Sequence, residues 1–268
     1  MVINVSIAQF AITIGEPEKN LTTGLRMIEQ AAAEGSSLIQ LPELWVSGYD
    51  LDKCEAHSQK SLEIIDLLQG LADKHNLAIG GSYITTRDGK YFNSYLLFLP
   101  GLALPRHYDK THLFRLLDED IHFTPGDSLT VVDLAWGKVG LAICYDVRFP
   151  ELIRAYGNRG IDCLLVAAQW GKKRSEHWRT LLSARAIENQ IFIVAANAVG
   201  PIFENELAGY SAVLDPWGTP VIEADPVNPA LFTVGIDLSE INQVRQTVPS
   251  KKDQRLELYK HWSDELDL

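Results

Sequence analysis

Residues 139–151 read Val139-Gly140-Leu141-Ala142-Ile143-Cys144-Tyr145-Asp146-Val147-Arg148-Phe149-Pro150-Glu151, and the reading of the chain turns on them. Lys138 to Ile143 is apolar enough for a buried strand, and it stops abruptly at a thiol followed by Tyr-Asp. Glu151 to Arg159 has helical character, and Ile161 to Ala168 is a second, fully apolar strand. Strand, turn, helix, strand is the grammar of an α/β protein. Upstream, Ser128 to Leu134 and Lys138 to Ile143 form a hairpin around Trp136-Gly137.

The same grammar spreads outward. Val2 to Gln9 is a strand; Leu21, Leu25, Ile28 and Ala32 recur at helical spacing until Gly35; Ser37 to Leu41 is a strand stopped by Pro42. Leu62, Ile65, Leu68 and Ala72 mark a second helix, followed by strands at Leu77 to Ile84 and Asn93 to Leu99 on either side of the turn Asp88-Gly89. Beyond the central unit come a helix at Glu176 to Gln190 and a strand at Ile191 to Ala196. Ala212 to Leu214 and Val221 to Glu223 flank the turn Asp215-Pro216-Trp217-Gly218, and Leu231 to Asp237 is the last strand. The tail from about Ser239 is short and polar. Helices mixed with hairpins predict helices covering sheets that also pack on each other. No linker or low-complexity tract divides residues 1–268, so one domain is expected.

The chain has 268 residues, 46% hydrophobic, with a formal net charge of -11. That balance repels a phosphate backbone, and Lys172-Lys173-Arg174 and Lys251-Lys252 are too short to reverse it, so no nucleic-acid role is expected. The three cysteines, Cys54, Cys144 and Cys163, form no CxxC pair, which argues against disulfides and a cysteine zinc site. No signal peptide or membrane-spanning run is read, and a cytoplasmic protein without metal or organic cofactor is expected.

In three places a polar residue stands out beside an apolar or aromatic run, and the carboxyl edge of an α/β sheet is where sites gather. Glu43 follows Leu38-Ile39-Gln40-Leu41-Pro42; a carboxylate in low dielectric suits a general base, whereas an exposed Glu would be a cap or surface acid. Lys110 stands in Tyr108-Asp109-Lys110-Thr111-His112-Leu113-Phe114, placed either to stabilise an oxyanion and lower a neighbouring thiol's pKa or merely exposed on a loop. Cys144 is either a nucleophile on a strand-to-helix turn or an inert core thiol. Cys163, inside Ile161-Asp162-Cys163-Leu164-Leu165-Val166, reads as packing, and Cys54 as an incidental surface thiol.

Leu41-Pro42-Glu43, the 108–114 segment, Cys144 to Glu151, Ala184-Arg185-Ala186-Ile187-Glu188-Asn189 and Asp215-Pro216-Trp217-Gly218, in that order over nearly the whole chain, resemble the nitrilase superfamily of carbon–nitrogen hydrolases. His112 to Arg115, Asp118-Glu119, Trp170 and His177-Trp178 are most similar to its omega-amidase branch, although Gly171 replaces the Pro common after that Trp in bacterial relatives. The resemblance implies a four-layer α-β-β-α sandwich, with the tail from about residue 239 at the interface of a homodimer or larger homo-oligomer. It implies a Glu43–Lys110–Cys144 triad hydrolysing a small amide through a thioester, and a second pocket glutamate at Glu119. Tyr49, Tyr145, Trp170 and His177 become pocket walls. Arg148 becomes the partner of a substrate carboxylate, with a salt bridge to Glu151 as the alternative and the 172–174 loop as a rival reader of that group.

Three rivals remain at this level. They are a Cys-His hydrolase using His107 or His112, a nitrile or N-carbamoyl hydrolase on the same fold, and a catalytically silent binding or assembly module.

Overall fold

The computed structural model describes residues 1–265. In chain order the strands are β1 (Val2–Gln9), β2 (Leu38–Gln40), β3 (Ala78–Arg87), β4 (Lys90–Phe98), β5 (Arg106–Asp109), β6 (Val131–Leu134), β7 (Gly137–Ile143), β8 (Cys163–Ala168), β9 (Phe192–Asn197), β10 (Pro201–Ile202), β11 (Asn205–Glu206), β12 (Ala212–Leu214), β13 (Pro220–Glu223) and β14 (Ala230–Asp237). The helices are α1 (Pro17–Ala33), α2 (Cys54–His75), α3 (Glu119–His122), α4 (Pro150–Asn158), α5 (Ser175–Asn189), α6 (Ser239–Thr247) and α7 (Leu256–Glu265). None of the helices described is long and apolar enough to cross a membrane.

Two six-stranded sheets form the centre, in the orders β14-β1-β2-β3-β4-β5 and β13-β12-β9-β8-β7-β6. Each is parallel in the middle (β1-β2-β3 and β7-β8-β9) and antiparallel at its flanks. The strand alternation explains how they stack. Val5, Ile7, Leu38, Tyr95 and Leu97 point into the same core as Leu141, Leu165 and Val194 of the second sheet. Their neighbours Ala8, Ile39, Leu96 and Phe98 point the other way, into a second core with Ile28, Ile64 and Leu68 of α1 and α2. Trp178 and Leu182 of α5 and Ile153 of α4 close the far side. The architecture is therefore helix, sheet, sheet, helix. Near-continuous burial of β8 and β9 is what a parallel strand covered on both faces requires.

Several details depart from the sequence reading. Helix α2 buries Leu68 and Ala72 and packs Ile65 as expected, but Leu62 is 56% exposed, and Ser61 and Ile64 face inward instead. Small polar residues His57, Ser58 and Ser61 sit on the packed side, where an apolar stripe cannot reveal them. Cys54 is no surface thiol. It is buried at the start of α2, and burial next to Asp50 and Asp52 pushes its pKa up to about 11. The small β10-β11 hairpin and the strand β5 escaped the hydrophobic pattern because they are short and largely exposed. The tail from Ser239 carries two helices, α6 and α7.

Candidate active site

Strand β7 ends at Ile143, and the chain turns at Cys144 into a 3-10 turn, Cys144–Arg148, before Pro150 opens α4. Cys144 has φ +45°, left-handed backbone that costs a non-glycine residue about 1–3 kcal/mol. A second sharp turn follows β2, where Leu44 has φ +42° next to Glu43. Asp146 secures the first turn. One of its carboxylate oxygens accepts Ile143 N–H (3.0 Å) and the Tyr108 hydroxyl (2.9 Å). The other accepts the backbone N–H (3.0 Å) and Nδ1 (2.9 Å) of His112. The segment around Cys144 is thus bolted to the segment carrying Lys110.

Glu43, Lys110 and Glu119 meet in a fully enclosed cluster. Lys110 Nζ lies 2.7 Å from Glu43 Oε1 and 2.7 Å from Glu119 Oε1. Asn93 Nδ2 donates to Glu43 Oε1 at 2.9 Å and reaches Glu119 Oε1 at 3.5 Å. Glu119 further accepts the Tyr49 hydroxyl (2.8 Å) and Phe114 N–H (2.7 Å). Gln169, at the end of β8, donates its N–H to Glu43 Oε2 (2.9 Å) and its side-chain amide to the Glu43 carbonyl (2.8 Å). Glu43 is therefore carried by one sheet and gripped by the other. Buried charge without such pairing would cost several kcal/mol.

The electrostatics follow from burial. Burial alone would lower the Lys110 pKa, but the carboxylates of Glu119 and Glu43 reverse it, so the ammonium is firmly charged. Burial raises the Glu119 pKa, against the pull of Lys110. Cys144 also feels Glu43, Lys110 and Glu119. Burial and Glu43 push its pKa well above that of a free thiol, and Lys110 recovers only part of this. The expected lowering by Lys110 exists but does not win. The resting group is a neutral thiol that needs a base at the moment of attack.

Cys144 opens onto a cleft of about 830 Å³, with Tyr49, Tyr145, Arg148, Gln169, Trp170 and Phe114 among its walls. Glu43, Lys110 and Glu119 do not line this cleft; they are buried behind it. Arg148 forms no ion pair with Glu151; its guanidinium lies 4.6 Å from the Trp170 ring centroid, and its NH2 group meets His177 Nδ1 at 3.3 Å. His177 stands behind Arg148 and outside the lining. Burial, and then the Arg174 guanidinium, hold Arg148 below the ordinary arginine range. His112 is stacked on Phe149 (3.6 Å between centroids) and bound to Asp146, and His107 is exposed. Neither is placed as a base for the sulfur. Asn93 and Gln169 were missed in the sequence as site residues, whereas Arg174, which lines the cleft, belongs to the 172–174 loop named there as a rival reader of the carboxylate. Only Asn93 left a trace, a polar residue in register with the inward-facing Tyr95 and Leu97.

A two-sheet sandwich whose facing sheet ends enclose a thiol, an ammonium and two carboxylates defines a hydrolase class. Residues 4–246 match the carbon–nitrogen hydrolase family model, and the chain belongs to that family, within the nitrilase superfamily. It is 35% identical to the 2-oxoglutaramate amidase of Bacillus subtilis over 95% of this chain and 98% of that one. Mouse omega-amidase NIT2 is 32% identical, over 90% and 91% of the two chains. Among solved structures, Saccharomyces cerevisiae Nit3, a member of branch 10 of the nitrilase superfamily, superposes with a TM-score of 0.86 at 27% identity, covering 95% of this chain and 97% of that one.

Proposed function

We propose that this carbon–nitrogen hydrolase is an omega-amidase, releasing ammonia from the terminal amide of a small 2-oxo dicarboxylic acid such as 2-oxoglutaramate or 2-oxosuccinamate. The observation that carries this reading is the pairing of a pocket-facing Cys144, backed by Glu43, Lys110 and Glu119, with an Arg148 that has no carboxylate partner among the described residues. Likeness to the Bacillus subtilis and mouse amidases supports it.

Glu43 takes the proton of the Cys144 thiol as the sulfur attacks the amide carbon. Lys110 and the backbone N–H of Tyr145, at the start of the 3-10 turn, receive the developing oxyanion. A preorganised donor of that kind lowers a barrier by about 3 kcal/mol. Glu43 then protonates the departing amine, which leaves as ammonia. Water, deprotonated by Glu43, hydrolyses the thioester and releases the carboxylic acid. Glu119 and Tyr49 hold Lys110 in place.

Arg148, planar and lying against Trp170, is the group that meets the distant carboxylate. Arg148→Ala is expected to raise KM for a carboxylate-bearing amide about 10-fold or more, the scale of one lost charge-assisted hydrogen bond, while KM for a neutral aliphatic amide changes little. Equal changes for both would clear Arg148 of carboxylate recognition. Ammonia release from a panel of omega-amides, nitriles and N-carbamoyl compounds tests the wider reading; preference for a nitrile or carbamoyl substrate would replace it.

The whole chain acts as one catalytic unit in this reading, because residues from both sheets build the site. Three unpaired cysteines suit a reducing cytoplasm. The chain pairs with a second copy through its C-terminal segment. Leu256, Tyr259 and Trp262 recur along α7 and are 55%, 43% and 52% exposed. Sedimentation is expected to give a dimer, shifted toward monomer when residues 256–268 are removed. A full-length monomer at micromolar concentration would end this part of the reading.

A further inference from the structure

We propose that Asn93 is a positioning residue that selects which oxygen of Glu43 handles the proton. The inference rests on the catalytic reading above and deepens it. Glu43 Oε1 accepts Lys110 Nζ at 2.7 Å and Asn93 Nδ2 at 2.9 Å, so both of its acceptor sites are taken. Glu43 Oε2 accepts one bond, the 2.9 Å N–H of Gln169, and keeps an acceptor site free. The proton of the thiol therefore goes to Oε2.

Three further features of Asn93 fit this role. Its side chain sits between two carboxylates, which only accept, so the NH2 end must face them. Its Oδ1 is buried with no partner, a cost that a merely space-filling residue on the inter-sheet face would not carry. Its backbone carbonyl accepts the N–H of Lys110 at 2.9 Å, so one residue sets both the ammonium-bearing segment and the base. Without the amide, Oε1 would offer a second site to the proton. The carboxylate as a whole would also hold a proton more tightly, having lost a donor that favours its ionised form.

The titratable groups facing Glu43 are Lys110 from the segment after β5, Glu119 from α3, Cys144 from the turn after β7 and Tyr49 from the loop before α2. None of these changes in the test. Asn93→Leu keeps the branched shape, with somewhat greater bulk, and removes the donor; Asn93→Ser keeps a short hydroxyl donor. In Asn93→Leu the acid limb of the kcat/KM profile for an omega-amide is expected to move up by about one pH unit, as the base now ionises later. At the plateau, kcat falls about 10- to 100-fold with KM changed less than threefold. Asn93→Ser is expected to fall between Leu and wild type in both. A lowered melting temperature with an unmoved acid limb and unmoved kcat, in either variant, would reduce Asn93 to packing and overturn the proposal. Should Asn93→Leu fail to fold, the Ser variant alone decides on the same limb. Glu43→Gln separates the two readings: if it keeps wild-type activity the catalytic assignment itself is wrong, whereas an inactive Glu43→Gln with an unmoved limb in the Asn93 variants refutes only this inference.

Discussion

Cys144→Ala is expected to cut ammonia release from an omega-amide by about 10⁴-fold or more, the scale of deleting the nucleophile from a covalent hydrolase. Cys144 is the thiol that the cleft presents; Cys163 is fully enclosed in β8 and Cys54 lies at the start of α2, outside the lining. The oxyanion donors remain in the variant, but with no sulfur there is no thioester for them to serve. The fold should survive. Alanine removes one atom facing a cleft, leaving no closed cavity, and the φ +45° backbone at this position is equally costly for Cys and Ala. The melting temperature is therefore expected to stay within a few degrees. Turnover near the wild-type rate, in a protein free of wild-type contamination, would refute the nucleophile and revive the silent-module reading. Alkylation offers a cross-check: Cys144 opens on the cleft and should react with a small electrophile well before Cys163, although its pKa is raised.

Glu43→Gln is expected to lower kcat by about 10²- to 10⁴-fold, the usual contribution of a positioned general base. The argument starts from the thiol. Because burial and a nearby carboxylate keep Cys144 protonated at rest, no standing thiolate exists to carry the reaction once the base is gone. This distinguishes the site from one in which a cation alone pre-ionises the sulfur, where losing the carboxylate would raise the rate. Stability should move far less than activity. Glu43, Glu119 and Lys110 together put two carboxylates beside one ammonium; with both ionised, the enclosed cluster carries excess negative charge. Glutamine has the same shape and relieves that repulsion, but its NH2 must face the Gln169 N–H or the Lys110 and Asn93 donors, so the two effects oppose and the melting temperature is expected to change by only a few degrees while activity collapses. An unchanged rate would remove Glu43 as the base.

The resemblance and the local patterns led to the same strands, and to Glu43, Lys110 and Cys144, because each of these follows an apolar run or belongs to a contiguous motif. Helix faces were harder to read. Leu62 looks like core in α2, yet Ser61 and Ile64 face inward instead, because the sheet beneath accepts small polar residues and decides the rotation. The groups that control the base were illegible for a related reason. Asn93 lies on β4 and Gln169 follows β8; neither has a neighbour in sequence that betrays what it touches.

What the amino-acid order determined by itself was local: where most strands and helices run, which thiol ends a buried strand, and the net charge of -11. Assembling and stacking the sheets decided the rest. Glu43 and Lys110, 67 positions apart, follow strands of the same sheet and meet once that sheet forms; Glu43 and Gln169, 126 apart, come within 2.9 Å only when the second sheet closes on the first. The protonation of Cys144 is likewise a property of the closed interior. It follows from removing water and placing charges within a few ångströms, and neither quantity is defined along a chain that has yet to fold.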